Sequence, residues 1–220
     1  MQIFNINSPL MQKLGLLFDL MVLNVLTILC CLPVISAGAA IAALYDSIWR
    51  LRQSQGTLLK NYFRAFFSNF GQATKMFLPL LVTGLIFGYN ALLVAMNYQE
   101  GQGFILVPLV ICFAVWAMIA SWAFPLQTRF ENTVIRIYVN ALLCGLRYLP
   151  RTVAMVLMNL FPWVLLAVVP AQFLKFSMLW VLVWFALAAY LNMVMLDKPL
   201  ERLTELSRQA LQEEEPAETA

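Results

Sequence analysis

Few residues of this chain carry groups that could do chemistry, and their placement gathers them. Asp46 and Glu131 stand at the ends of apolar runs among Arg50, Arg52, Arg64, Arg129 and Arg136. An acid and a base beside such cations could act on a lipid or phosphate substrate. Ion pairs at a helix end explain the same cluster with fewer assumptions, and two carboxylates are few for an enzyme. We therefore expect no catalytic residue. The set Arg50, Arg52, Arg64, Arg129, Glu131 and Arg136 is expected to be a contact surface for a partner.

Absences narrow the chemistry further. The chain has no histidine, the commonest general base and metal ligand. Its four cysteines, Cys30, Cys31, Cys112 and Cys144, form no CxxC pair. Three of them sit in apolar runs, where a free thiol behaves as a small hydrophobe. No GxxxxGK[ST], GxSxG, HExxH or GxGxxG occurs, so nucleotide, acyl-transfer and zinc chemistry lack a motif. No cofactor or metal is expected.

The elements that must position these groups are apolar helices. Of 220 residues, 62% are hydrophobic and 11% charged, against about 25% charged in a soluble domain. Five stretches hold no charge at all: 20–45, 76–99, 101–128, 152–174 and 176–196. Each reaches the roughly 20 residues a spanning helix needs. The composition and these runs predict an all-α polytopic membrane helical bundle with about five spans. Residues 1–196 would form one transmembrane domain. Residues 197–220 would be a cytoplasmic tail, partly disordered because its end is acidic and poor in apolar residues.

Cations set the orientation, since cytoplasmic loops retain Lys and Arg. Twelve of the fourteen fall in 46–75, 129–151 and the tail, whereas the connections around Glu100 and Lys175 are short and nearly free of them. A multi-pass protein of the cell membrane is expected, with the N-terminus outside and the C-terminus in the cytoplasm. The net charge of +3 is thus a topology signal, and no nucleic-acid partner is expected; the bilayer is.

The first apolar segment is interrupted at Pro33, with Ser36-Ala37-Gly38-Ala39-Ala40 following. Proline removes a donor and kinks a helix, and Ser36 could cap a new one. One broken span is preferred to two crossing halves, because each half is short for a hydrocarbon layer of roughly 30 Å. A cleavable signal peptide fits poorly, since only Lys13 precedes the run and the run is long. Pro33, Ser36 and Gly38 mark either a packing break or free backbone facing a ligand, as in transporter half-helices.

Two inner segments are basic and amphipathic. Leu59, Tyr62, Phe63, Phe66, Phe67 and Phe70 recur at helical spacing with Lys60, Asn61, Arg64 and Ser68 between them. Ile135, Tyr138, Val139, Leu142, Leu146 and Leu149 repeat that design against Arg136, Asn140, Arg147 and Arg151. Both predict helices on the inner membrane surface, each leading into a span. A shift of 76 residues aligns them (Lys60 with Arg136, Tyr62 with Tyr138), which fits either a duplication or two similar helices. Inside the spans only amides and hydroxyls remain: Asn24, Thr27, Thr83, Asn90, Asn159 and Asn192. Interhelical hydrogen bonds are their expected role.

Several stretches together carry a family likeness. They are Leu32-Pro33-Val34-Ile35-Ser36-Ala37-Gly38-Ala39-Ala40-Ile41-Ala42-Ala43-Leu44-Tyr45, Phe63-Arg64-Ala65-Phe66 with Asn69-Phe70, Phe124-Pro125-Leu126-Gln127-Thr128-Arg129-Phe130-Glu131-Asn132, Asn140-Ala141-Leu142 and Leu149-Pro150-Arg151-Thr152. In order and spacing they resemble the YesL family of bacterial integral membrane proteins, over about residues 1–196. The resemblance implies a small multi-span protein, often encoded beside carbohydrate uptake and degradation genes, with no established activity or catalytic residues. The expected function is a non-enzymatic accessory or regulatory component near a carbohydrate transporter. A small carrier or channel for a neutral solute such as a saccharide is the alternative, and an enzyme at the inner lipid surface using Asp46 or Glu131 the third.

Overall fold

In a computed structural model, which describes residues 9–97 and 103–218, the chain is helical almost throughout. Helix α1 (Pro9–Cys31) ends in a bend and a single 3-10 turn, Val34–Ser36, before α2 (Ala37–Arg52). Then follow α3 (Leu58–Asn97), α4 (Gly103–Gln127), α5 (Val134–Arg147) and α6 (Leu149–Val168). The short α7 (Pro170–Lys175) and α8 (Ser177–Leu179) lead through a π turn, Trp180–Trp184, into α9 (Phe185–Glu218). No strand forms among the described residues, and the bundle is all-α as expected.

Six stretches are long and apolar enough to cross a membrane: Met11–Cys31, Val34–Arg52, Leu58–Val94, Leu106–Gln127, Leu149–Val168 and Ser177–Leu206. Their outer faces carry Leu85, Ile86, Val110, Ile111, Leu157 and Val164, each more than half exposed. Apolar surface on this scale belongs against hydrocarbon, where helices alone satisfy their own backbone.

At the N-terminal end, where the sequence favours one broken span, the chain forms two separate helices, each long and apolar enough to cross. Pro33 takes an extended backbone (φ −76°, ψ 111°), so the helix stops and restarts instead of kinking. Both halves are longer than the charge-free run implied: α1 reaches back through Asp19 and Lys13, and α2 runs forward to Arg52.

Helix α2 lies at the centre, packed by α1, α3, α4 and α9. Ala39, Ala40, Ala42, Ala43 and Ile48 have no exposed surface. Small side chains let neighbouring backbones approach closely. The approach is tightest at Gly38, where a Cβ would stand 2.5 Å from the Ala73 carbonyl oxygen and from the Phe77 Cβ. Around α2 the core gathers Leu23 of α1, Tyr62 and Met76 of α3, Trp122 of α4, Ile137 of α5, Met155 of α6, and Met193 and Leu196 of α9.

Two amphipathic stretches differ in fate. Residues 59–70 are not a separate surface helix; they are the first turns of α3, whose 40 residues extend about 60 Å. Nothing between Phe70 and Lys75 stops a helix; Tyr62 and Ala65 are buried toward α2, whereas Leu59, Phe63, Phe67 and Phe70 remain exposed. The second stretch is a distinct helix, α5, closed at Tyr148 just ahead of Pro150. The segment expected as a tail continues α9 without a break, and the connection around Glu100 lies outside the described residues.

Most polar groups within the spans find partners across and along helices, although Ser47 Oγ and Asn192 Oδ1 are buried without one. Asn24 Oδ1 accepts from the Ala186 N–H at 2.7 Å, a donor freed beside the π turn. Asn192 Nδ2 donates to Tyr45 Oη (3.2 Å) and Asn159 Oδ1 (3.1 Å), tying α9 to α2 and α6. Thr27, Thr83 and Asn90 bond to carbonyls of their own helices. Trp122 Nε1 donates to Thr152 Oγ1 at 2.9 Å.

Candidate functional site

A polar cavity of about 340 Å³ opens where α2, α3 and the end of α4 meet. Asp46 and Arg50 come from α2, one turn apart on one face. Arg64, Ser68 and Asn69 come from the first turns of α3, and Gln127, Thr128, Arg129 and Glu131 from the end of α4 and the linker after it. The linker is shaped locally. Arg129 and Phe130 both return their N–H to the Leu126 carbonyl, and Thr128 Oγ1 donates to the Pro125 carbonyl at 2.9 Å. These bonds close α4 and turn residues 127–131 back toward α2.

The charges around the cavity are unevenly satisfied. Asp46, buried, accepts from Arg50 Nε at 2.7 Å. Arg129 lies over the Trp49 ring, its guanidinium carbon 3.7 Å from the ring centre. Its Nε is buried and has no hydrogen-bond partner. Burial lowers its pKa to about 10, against the opposing pull of Asp46 and Asp197. Gln127 is 6% exposed, and neither Nε2 nor Oε1 of its amide is bonded. Buried polar groups are nearly always paired, so three unpaired atoms in this region are informative.

The candidate contact set divides. Arg50, Arg64, Arg129 and Glu131 do meet at this cavity, with Asp46. Arg52 faces another way, forming a two-pronged pair with Asp197 of α9 (2.6 and 2.5 Å) that holds α9 against the end of α2. Arg136, exposed on α5, is not among the cavity residues. Sequence reasoning missed Gln127 and Trp49. Gln127 closes a charge-free run just before Arg129, so an amide at the end of a span was the available signal. For Trp49 there was none, because its value lies in meeting Arg129 in space.

At Pro33, Ser36 and Gly38 the protein fills the break itself. Ser36 Oγ lies 2.7 Å from the Cys30 carbonyl and 2.8 Å from that of Pro33, satisfying the end of α1. Thr74 Oγ1 donates to the Ile35 carbonyl at 3.1 Å, and α3 closes over Gly38. A second hollow, of about 370 Å³, lies between α3 and α4 around Phe87, Val110 and Phe113. Its lining is apolar.

Residues 20–91 match a family described as "Protein of unknown function, DUF624", the family commonly called YesL-like. The match runs from the middle of α1 through α2 into the second half of α3. No curated protein and no solved structure matches the chain. The chain is thus an integral membrane protein similar over this segment to a family without a defined activity.

Proposed function

We propose that the protein is a non-enzymatic component of the cell membrane that assists or regulates a carbohydrate uptake system through its cytoplasmic face. The observation that carries the reading is the cavity at the charged end of the bundle, where the Gln127 amide and the Arg129 Nε have no protein partner. Such groups suit a site that receives a group from outside. Its chemistry argues for binding over turnover: Asp46 is held by Arg50, and Glu131 is exposed at the rim.

The orientation rests on the arginines, which cytoplasmic ends retain. The link to carbohydrate uptake rests on the YesL-like resemblance. Since α3 covers Gly38 and Ser36 satisfies the end of α1, the break offers a carrier for a neutral solute no lining.

Affinity purification in mild detergent, from cells grown on a carbohydrate that induces uptake genes, tests the proposal. A transporter subunit is expected with the wild-type protein and less of it with Arg64→Glu. A wild-type eluate with no uptake subunit would sink the idea.

A further inference from the structure

We propose that the cavity between α2, α3 and the end of α4 holds the phosphate group of a phosphorylated ligand. Arg64 and Arg129 would bind its oxygens, and the Gln127 amide would bind an oxygen beside them. This rests on the reading of that cavity as a recognition site and names its ligand chemistry.

The charges point to an anion. Arg50 is already neutralised by Asp46 at 2.7 Å. Arg64 and Arg129 form no ion pair among the described residues, and Glu131 is exposed at the rim. Arg129 is the more telling, because it is partly buried over Trp49 and its buried Nε has no hydrogen-bond partner. A desolvated cation with unused N–H groups is costly until a charged acceptor arrives.

The donors also fit a particular anion. Two guanidinium groups and one amide line one cavity, Arg64 from α3 at its exposed edge and Gln127 and Arg129 from the end of α4 and its linker. A carboxylate offers two oxygens in a plane, whereas a phosphate offers three at tetrahedral angles and can use every donor. The volume of about 340 Å³ stands at the lower end of the roughly 300 to 1,000 Å³ of small-molecule pockets, more than a bare ion needs. A phosphate carrying a small polar substituent fits it. At this end of the bundle that group could belong to a soluble phosphorylated solute or to a lipid headgroup.

Thermal unfolding of the full chain in nanodiscs separates these sources, because a ligand of the native state raises Tm. In one arm, phosphatidylcholine discs are titrated with glycerol 3-phosphate. In the other, the discs contain phosphatidate and no soluble phosphate. A saturable rise in the first arm assigns a soluble ligand; a rise in the second alone assigns a headgroup. In the responding arm, Arg64→Gln should require about ten- to a hundredfold more probe, as expected for loss of a charged hydrogen-bond partner. Gln127→Leu should abolish the rise. No rise in either arm overturns the proposal, and so does a rise that Gln127→Leu leaves intact, which would be surface attraction only. A transporter subunit that co-purifies while neither probe binds would leave the proposed function standing and this inference fallen. Probe binding without such a subunit would do the reverse.

Discussion

Replacing Gln127 with leucine should stabilise the ligand-free protein. The side chain is 6% exposed, and both atoms of its amide lack partners. Leaving a buried polar group unsatisfied costs about 1 to 3 kcal/mol, whereas an apolar group of the same shape avoids that cost. Leucine branches at Cγ, one carbon earlier than the glutamine amide, so some strain or void offsets part of the gain. The expected net change is about 1 kcal/mol of added stability. For a chain of this size that is a Tm rise of about 2 to 4 °C per kcal/mol. The assay is thermal unfolding of purified protein in phosphate-free buffer, followed by tryptophan emission. Gln127→Ala serves as a control; it removes the same amide but leaves a void, and should be less stable than the leucine variant. A leucine variant less stable than wild type by about 1 kcal/mol or more would refute the reasoning, because the amide would then be bonded in the native state.

Three further outcomes follow from the packing. Gly38→Ala places a methyl group 2.5 Å from the Ala73 carbonyl, on backbone that cannot rotate away, and should cost about 1 to 3 kcal/mol by thermal unfolding. Asn24→Ala strands the buried Ala186 N–H beside the π turn and should cost about 1 to 3 kcal/mol, with faster hydrogen exchange at residues 180–186. Arg52→Gln and Asp197→Asn should each cost about 1 kcal/mol at most, since the pair is partly exposed and screened. The double variant should cost no more than either single one if the two groups act only on each other.

The fold class was legible because hydrocarbon imposes a coarse rule: long uncharged runs become helices. Charge can also fall inside a helix, as Lys13 and Asp19 do within α1. There the number of crossings depends on how Pro33 sets the backbone, which no count of charges records. Continuity was also hidden. Residues 59–70 have the pattern of a surface helix, and they form the start of one rod, with Tyr62 and Ala65 buried while Leu59, Phe63, Phe67 and Phe70 stay exposed. At the site, arginines stood out because they are rare in such a chain. Gln127 and Trp49 did not, since an amide and an indole acquire meaning only from what reaches them: nothing for the first, the Arg129 guanidinium for the second.

The claim on which this account turns is that the cavity is a receptive site open to the cytoplasm. Ser68 lines it and is exposed, so Ser68→Cys provides a handle, with the parent protein and its four native cysteines as background. The measurement is labelling by a membrane-impermeant maleimide in vesicles of both orientations. Labelling above background in inverted vesicles, and none in right-side-out vesicles, is the predicted result; labelling from the outer side would contradict the account.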